Sequence, residues 1–323
     1  MSEYQYYEFQ ALDRPLTQRE MRDLRKYSTR ATITDTRFVN HYEWGNFKGD
    51  ASMWMRKYFD AFLYCANWGT HRLMLRLPSA ALDIKTAKRY LGGRSVSAHR
   101  RDNIVILDFA AEDEGGNWGA DYDGTGLLSS LVALRAHIAA GDHRALYLAW
   151  LSSAQSGNLD DDETEPPVPP GMATLSAPLK VLADFLYVSA DLIQVAAAGS
   201  EPMDQKVARR RLERWVAALP DSEKTALLCR FATEEGRGVR ADLLQRFRNA
   251  SRVSGPATVE KSRAVGVLLD EAERRAHQAA KRVGKRDRLT GRREARSHAP
   301  GCPARSRPRA IDSTFVSERR NGP

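Results

Sequence analysis

LYCANWGTHRLMLRLP, residues Leu63–Pro78, sets two apolar runs on either side of a polar tetrapeptide. In the second run Leu73, Leu75 and Leu77 alternate with Arg72, Met74 and Arg76, the period of two of a half-buried strand. The first run, within AFLYCA (residues 61–66), is apolar on both faces. Between them lies Asn67-Trp68-Gly69-Thr70. Glycine takes positive φ without strain and asparagine hydrogen-bonds its own backbone, so these four residues have turn chemistry. The stretch therefore predicts a strand, a turn and a strand, with Trp68 over the end of the core. A helix running from Met53 to Cys65 is the competing reading.

Upstream, the aromatic YQYYEFQAL (4–12) suits a pleated surface and reads as a strand. Thr17 followed by Glu20 completes a capping-box pattern and opens a helix with Met21, Leu24 and Tyr27 on its apolar side. The Thr-rich ATITDTRFV (31–39) reads as one strand, and Asp50 opens a short helix. Downstream, Ser79 caps a helix that Gly92-Gly93 terminates. NIVILDF (103–109) is then a continuous apolar run, as in strands covered on both faces. Strand, helix and buried strand predict a right-handed parallel crossover. The fold class expected is α/β or α+β, with a mixed-sheet amino-terminal domain followed by a small helical bundle and a charged helical arm.

Beyond Gly124 the pattern is helical, with two helices broken at Gly141-Asp142 and Leu128, Leu131 and Leu134 facing the core. LDDDETEPPVPPG follows, where acids repel one another and prolines favour extended chain. The organisation expected is an α/β domain over 1–158, an acidic, proline-rich linker over 159–172 and a helical bundle over 173–256. A charged helical arm over 257–285 and a disordered basic tail over 286–323 complete it. Ser176 and Ser189 cap two short helices of the bundle, and Ala208, Leu212, Trp215 and Leu219 form one stripe of a third. The arm carries a thin apolar seam at Val265, Leu268, Ala272 and Ala279.

The chain has 323 residues with 42% hydrophobic content and six Trp, which describes folded protein rather than a disordered chain. No run approaches the roughly 20 apolar residues that span a bilayer. MSEYQYYEFQ lacks the basic and apolar regions of a secretory signal, and Cys65, Cys229 and Cys302 form neither a disulfide framework nor a CxxC pair. A cytoplasmic location is expected, with no membrane contact. The net charge of +9 has one source. From Lys281 onward 13 Lys and Arg face four acids, and 13 − 4 = +9, so residues 1–280 balance to zero. A basic tail on a neutral body differs from a basic fold.

YYEFQALDRPLT, YFDAFLYCANWGTHRLMLRLP and EPPVPPG together resemble a family of uncharacterised bacterial proteins over most of residues 1–250. The resemblance implies no activity, no cofactor and no catalytic residues. It does imply more long, charged helix after Val259, whereas after Lys285 this chain turns to Arg, Pro, Ser and Gly. That change reads as a truncated or frame-shifted end.

Candidate chemistry is sparse. Asp108, Asp113, Asp121 and Asp123 follow the buried strand, where open α/β sheets bind ligands, and DYDG is part of a calcium-loop pattern. The further acids and the bidentate glutamate of such a loop are missing, so a solvated Gly/Asp loop is the simpler reading. Cys65 with His41 and His71 is a candidate nucleophile–base set, against which stand a buried thiol and a satisfied core histidine. HExxH, GxSxG and Walker motifs are absent. Arg209, Arg210 and Arg214 offer a basic face for nucleic acid, extended by Arg246, Arg248 and Arg252, against a solvated helix face. The two short helices at 178–198 lack the polar cluster that reads base edges. The dipeptide Trp-Gly occurs at 44–45, 68–69 and 118–119 with unequal spacing, which is not a repeat. Trp44, Trp68 and Trp118 either cap the core or form a ligand or partner surface.

The function expected is that of a non-enzymatic interaction or scaffold protein, meeting a protein partner or a second copy through its helices. A nucleic-acid-associated protein is the alternative, and a metal- or phosphate-dependent enzyme around Asp108–Asp123 the third. No cofactor is expected.

Overall fold

A computed structural model describes the backbone of residues 4–82, 84–112, 124–203, 205–233 and 262–297, with a few positions between 239 and 250. It falls into two compact units, Met1–Ala276 and His277–Pro323. The first unit is built on a sheet of β1 (Gln5–Gln10), β2 (Thr32–Ile33), β3 (Arg37–Tyr42), β4 (Ala61–Ala66), β5 (Thr70–Pro78), β6 (Val96–Arg101) and β7 (Ile104–Glu112). The order is β2-β3-β1-β4-β5-β7-β6, and every neighbouring pair is antiparallel. Strands and helices together give an α+β fold.

The quoted stretch folds as its residues predict. β4 and β5 form a hairpin with Leu63 opposite Leu73 and Cys65 opposite His71. Gly69 closes the turn at φ +89°, its N–H on the carbonyl of Ala66 at 3.1 Å. Asn67 ties the turn to the start of β1: its N–H donates to Tyr4 O and its Oδ1 accepts from Tyr4 N, each at 3.0 Å. α1 (Gln18–Arg25) starts with the full capping box, Thr17 Oγ1 accepting from Glu20 N and Glu20 Oε2 from Thr17 N. α2 (Ala51–Lys57) is capped by Asp50, whose Oδ1 accepts from Met53 N at 3.0 Å.

Two sequence expectations are corrected. Residues 31–39 are a tight hairpin rather than one strand, since Thr32 pairs with Val39 and Ile33 with Phe38. The parallel crossover does not form: β5 and β7 are antiparallel neighbours, and β6 returns as the partner of β7. A continuous apolar run reports cover on both faces, and says nothing of strand direction. β6 escaped notice because only Val96 and Ala98 turn inward, while Ser97, His99 and Arg101 give it the polar dress of an edge strand.

Each face of the sheet has its own core. On one, His71, Leu73, Leu75, Leu77, Leu107 and Phe109 pack under α4 (Leu127–Leu131), α5 (Ala133–Ala139), α6 (Arg144–Gln155), α7 (Ala177–Phe185) and α8 (Ala190–Ala198). A short α3 (Ile84–Ala87) precedes them. α6 is buried from Arg144 to Ala154, which makes it the axis of this layer. On the other face Phe9, Phe38, Phe62 and Met74 meet Leu24, Trp54, Met55 and Phe59.

The expected linker at 159–172 does not divide two cores, because one buried cluster takes side chains from both sides of it. Glu165, Pro166, Pro169 and Met172 are themselves buried. This segment anchors the last helix. Glu165 N donates to Arg263 O, Val265 N to Glu163 O and Gly266 N to Asp161 O, at 2.8–2.9 Å. Arg263 grips the Glu165 carboxylate with two bonds of 2.8 Å, and Tyr147 donates its hydroxyl to the same group. Two other buried carboxylates are held likewise, Glu8 by Arg37 and Asp60 by Arg76. A buried charge needs such a partner.

α9 (Gln205–Ala218) and α10 (Asp221–Ala232) follow, and α11 runs Val265–Ser297. α11 thus passes Lys285, where the arm was expected to end, by twelve residues (297 − 285). Of its expected seam Val265, Leu268 and Ala272 are buried, whereas Ala279 is exposed. Most of residues 234–256 of the expected bundle, and all of 298–323, lie outside the described residues.

Candidate functional site

The Trp-Gly pairs at 44 and 68 are turns whose glycines need positive φ, Gly45 at +79° and Gly69 at +89°. The indoles are not core lids. Trp68 is 43% exposed and Trp44 77%. Pairing of Gln5 with both Tyr42 and Ala66 puts the two turns at the same end of the sheet, one strand apart. Trp118 lies outside the described residues.

Trp44 stands at a cleft of about 500 Å³ between the turn after α1 and the turn after β3. Both walls are fixed from behind. Ser28 Oγ accepts from the N–H of Arg30 at 3.3 Å, the N–H of Ala31 at 3.1 Å and Asn40 Nδ2 at 2.9 Å. Arg25 Nη1 donates to the carbonyls of Ser28, Thr29 and Ala31. Across the cleft, the buried Gln5 side chain donates to Gly45 O at 3.0 Å and Asn46 Oδ1 at 3.3 Å. A second cleft, of about 610 Å³, lies on the α2 side of the sheet over Tyr7, Phe62, Tyr64 and Arg72.

Asp108 projects on that same face of β7, where Arg72 binds it through Nε at 2.9 Å and Nη2 at 2.6 Å. That bond holds the Arg72 guanidinium above its usual pKa. Both oxygens of Asp108 are thus engaged by Arg72. Asp113, Asp121 and Asp123 lie outside the described residues. Among the described residues no three His, Cys, Asp or Glu side chains come together as a metal site.

The Cys65–His set is brought into one row by the register His41–Tyr6–Cys65–His71 across β3, β1, β4 and β5. It is closed to substrate, with Cys65 3% and His71 0% exposed. The His71 ring is sandwiched between Phe185 and Tyr187, both centroids at 5.1 Å. Its Nδ1 lies 3.2 Å from Phe185 O and its Nε2 3.3 Å from the Tyr187 hydroxyl. It is a core histidine. His41 stays at the rim, with Nδ1 2.8 Å from the Tyr4 hydroxyl.

The arginines on α9 are only partly described. Arg210 and Arg214 are exposed, and Arg209 is placed by its backbone alone. Among these helices the largest apolar exposure is on α10, where Leu228 and Phe231 are each 69% exposed and one turn apart, ahead of Val267 on α11 at 48%. In α11 every side chain from Glu273 to Lys281 is exposed. No helix among the described residues is long and apolar enough to cross a membrane.

Sequence reasoning named Trp44 but missed Ser28, Arg30, Lys48 and Gln5, which build the cleft beside it. Their convergence depends on β1 pairing with β3, and no local signal carries that. No protein-family model, curated protein or solved structure matches the chain.

Proposed function

We propose that this is a non-enzymatic interaction protein whose contact surface lies on its carboxy-terminal helices, and that it meets a second copy or another protein there. The supporting observation is the Leu228–Phe231 pair, two large apolar side chains left on one face of α10. Aromatic and aliphatic anchors that pack into a partner's pocket are the usual source of binding energy at interfaces. The exposed turns of α11 from Glu273 to Lys281 support the same reading, because a helical stretch with no buried face gains little by itself. The anchoring of α11 by Glu165 and Arg263 fixes where that helix starts, which limits the ordering cost of binding.

Light scattering on the full chain, beside a Leu228→Asp/Phe231→Asp variant, tests the proposal. An assembly larger than one chain that the variant dissolves supports self-association. A defined protein that co-purifies with the native chain and not with the variant supports a foreign partner. A monomer whose co-purifying proteins are the same in both forms contradicts the proposal.

A further inference from the structure

The cleft beside Trp44 joins two properties that one ligand chemistry uses together. An indole is a flat stacking surface, and at 77% exposure it has found no apolar cover within the described residues. Lys26, Arg30 and Lys48 line the same cleft against one acid, Glu43. Lys26 is paired with Asp23 at 2.8 Å, whereas Arg30 and Lys48 make no ion pair with a described residue. Both walls are hydrogen-bonded from behind. Ser28 and Arg25 fix the turn carrying Arg30, and Gln5, 2% exposed, fixes the turn carrying Trp44. The two turns that carry Arg30 and Trp44 are thus anchored through their backbone before anything binds.

We propose that this cleft binds a nucleotide, with the base stacked on Trp44 and phosphate oxygens on Arg30 and Lys48. Inorganic phosphate would leave the indole unused, and an uncharged aromatic would leave the cations unused. A nucleotide uses both, through stacking that tolerates any base and through guanidinium–phosphate bonding. The chemistry is the same for a free nucleotide and for one unit of a single strand. The proposal does not depend on the helical surface.

The test is fluorescence anisotropy and calorimetry on the full chain, with labelled oligo(dT), ADP and inorganic phosphate as separate probes. Trp44→Ala is expected to weaken nucleotide binding by about tenfold or more, the effect of losing one stacked base. Trp44→Phe is expected to restore most of it, and Trp68→Ala to change nothing. Arg30→Ala with Lys48→Ala is expected to flatten the salt dependence of oligonucleotide binding by about two phosphate contacts. Binding of ADP identifies a free nucleotide and tighter binding of oligo(dT) a single strand; either result supports the site if Trp44→Ala weakens it. Affinities for both probes that Trp44→Ala leaves unchanged would overturn it, as would saturable binding of inorganic phosphate alone.

Discussion

His71 shows how a residue with catalytic chemistry becomes architecture. Two rings stack on it, a carbonyl takes one nitrogen and a hydroxyl meets the other, while Tyr187 holds a left-handed backbone, φ +56°, beside it. His71→Leu keeps the volume but strips the Phe185 carbonyl of this partner, which costs about 1–3 kcal/mol. Urea denaturation is expected to show that loss with the same fold retained, and an unchanged midpoint would contradict it. The alternation of residues 71–77 was enough to turn His71 toward the leucines, so its burial was legible in the sequence. Its partners, Phe185 at the end of α7 and Tyr187 just beyond it, lie more than a hundred residues away, and nothing local pointed to them. Trp44 is the opposite case. Its turn was legible, but its exposure follows from what α1 and β3 leave uncovered, and local pattern left a core cap and an open surface both possible.

At the scale of elements, side-chain chemistry at the ends decides what forms. Thr17, Asp50 and Ser189 each accept the backbone N–H three residues on, and each was readable as a cap. Ser176 was read the same way, yet it makes no side-chain cap bond and its buried Oγ has no partner among the described residues. Thr17→Ala is expected to cost about 1 kcal/mol in thermal or urea unfolding. The same cap is sensitive to acid. The Arg14 guanidinium, with help from Thr17, holds the Glu20 carboxyl down to about 2. A carboxyl depressed in the folded state stabilises above its unfolded value of about 4.3, and that stability is lost as pH falls toward the folded one. Arg14→Ala is therefore expected to flatten the pH dependence of stability between about 4 and 2. Equal slopes for the two proteins would contradict it.

β6 and the strand order were the elements the sequence did not carry. An edge strand with two small inward residues has almost no apolar signal, and strand direction in a sheet covered on both faces is set by pairing partners far along the chain. The acidic, proline-rich segment was misread for a related reason. Composition alone made it a spacer, but a single carboxylate, Glu165, recruits Arg263 and Tyr147 and turns the segment into a clamp on α11. Arg263→Met strands that carboxylate in the core and is expected to cost about 3–5 kcal/mol, with Glu165→Gln added recovering most of it. Hydrogen exchange at residues 265–272 is expected to accelerate in the single variant. Protection equal to the native chain would rule the clamp out.

For the molecule as a whole, the sheet carries a core on each face, and among the described residues the Trp44 cleft and α10 are two features that face outward. The helical surface has a reporter built in: Cys229 is exposed on α10, flanked by Leu228 and within a turn of Phe231, while Cys65 is buried. Alkylation of Cys229 in the full chain, followed by peptide mass spectrometry across a range of protein concentrations and with any co-purified partner present, measures cover on that surface directly. Protection that grows with concentration or partner and disappears in the Leu228→Asp/Phe231→Asp variant is the expected result. A Cys229 that reacts at one rate under every condition, in both proteins, would contradict an interaction surface on these helices.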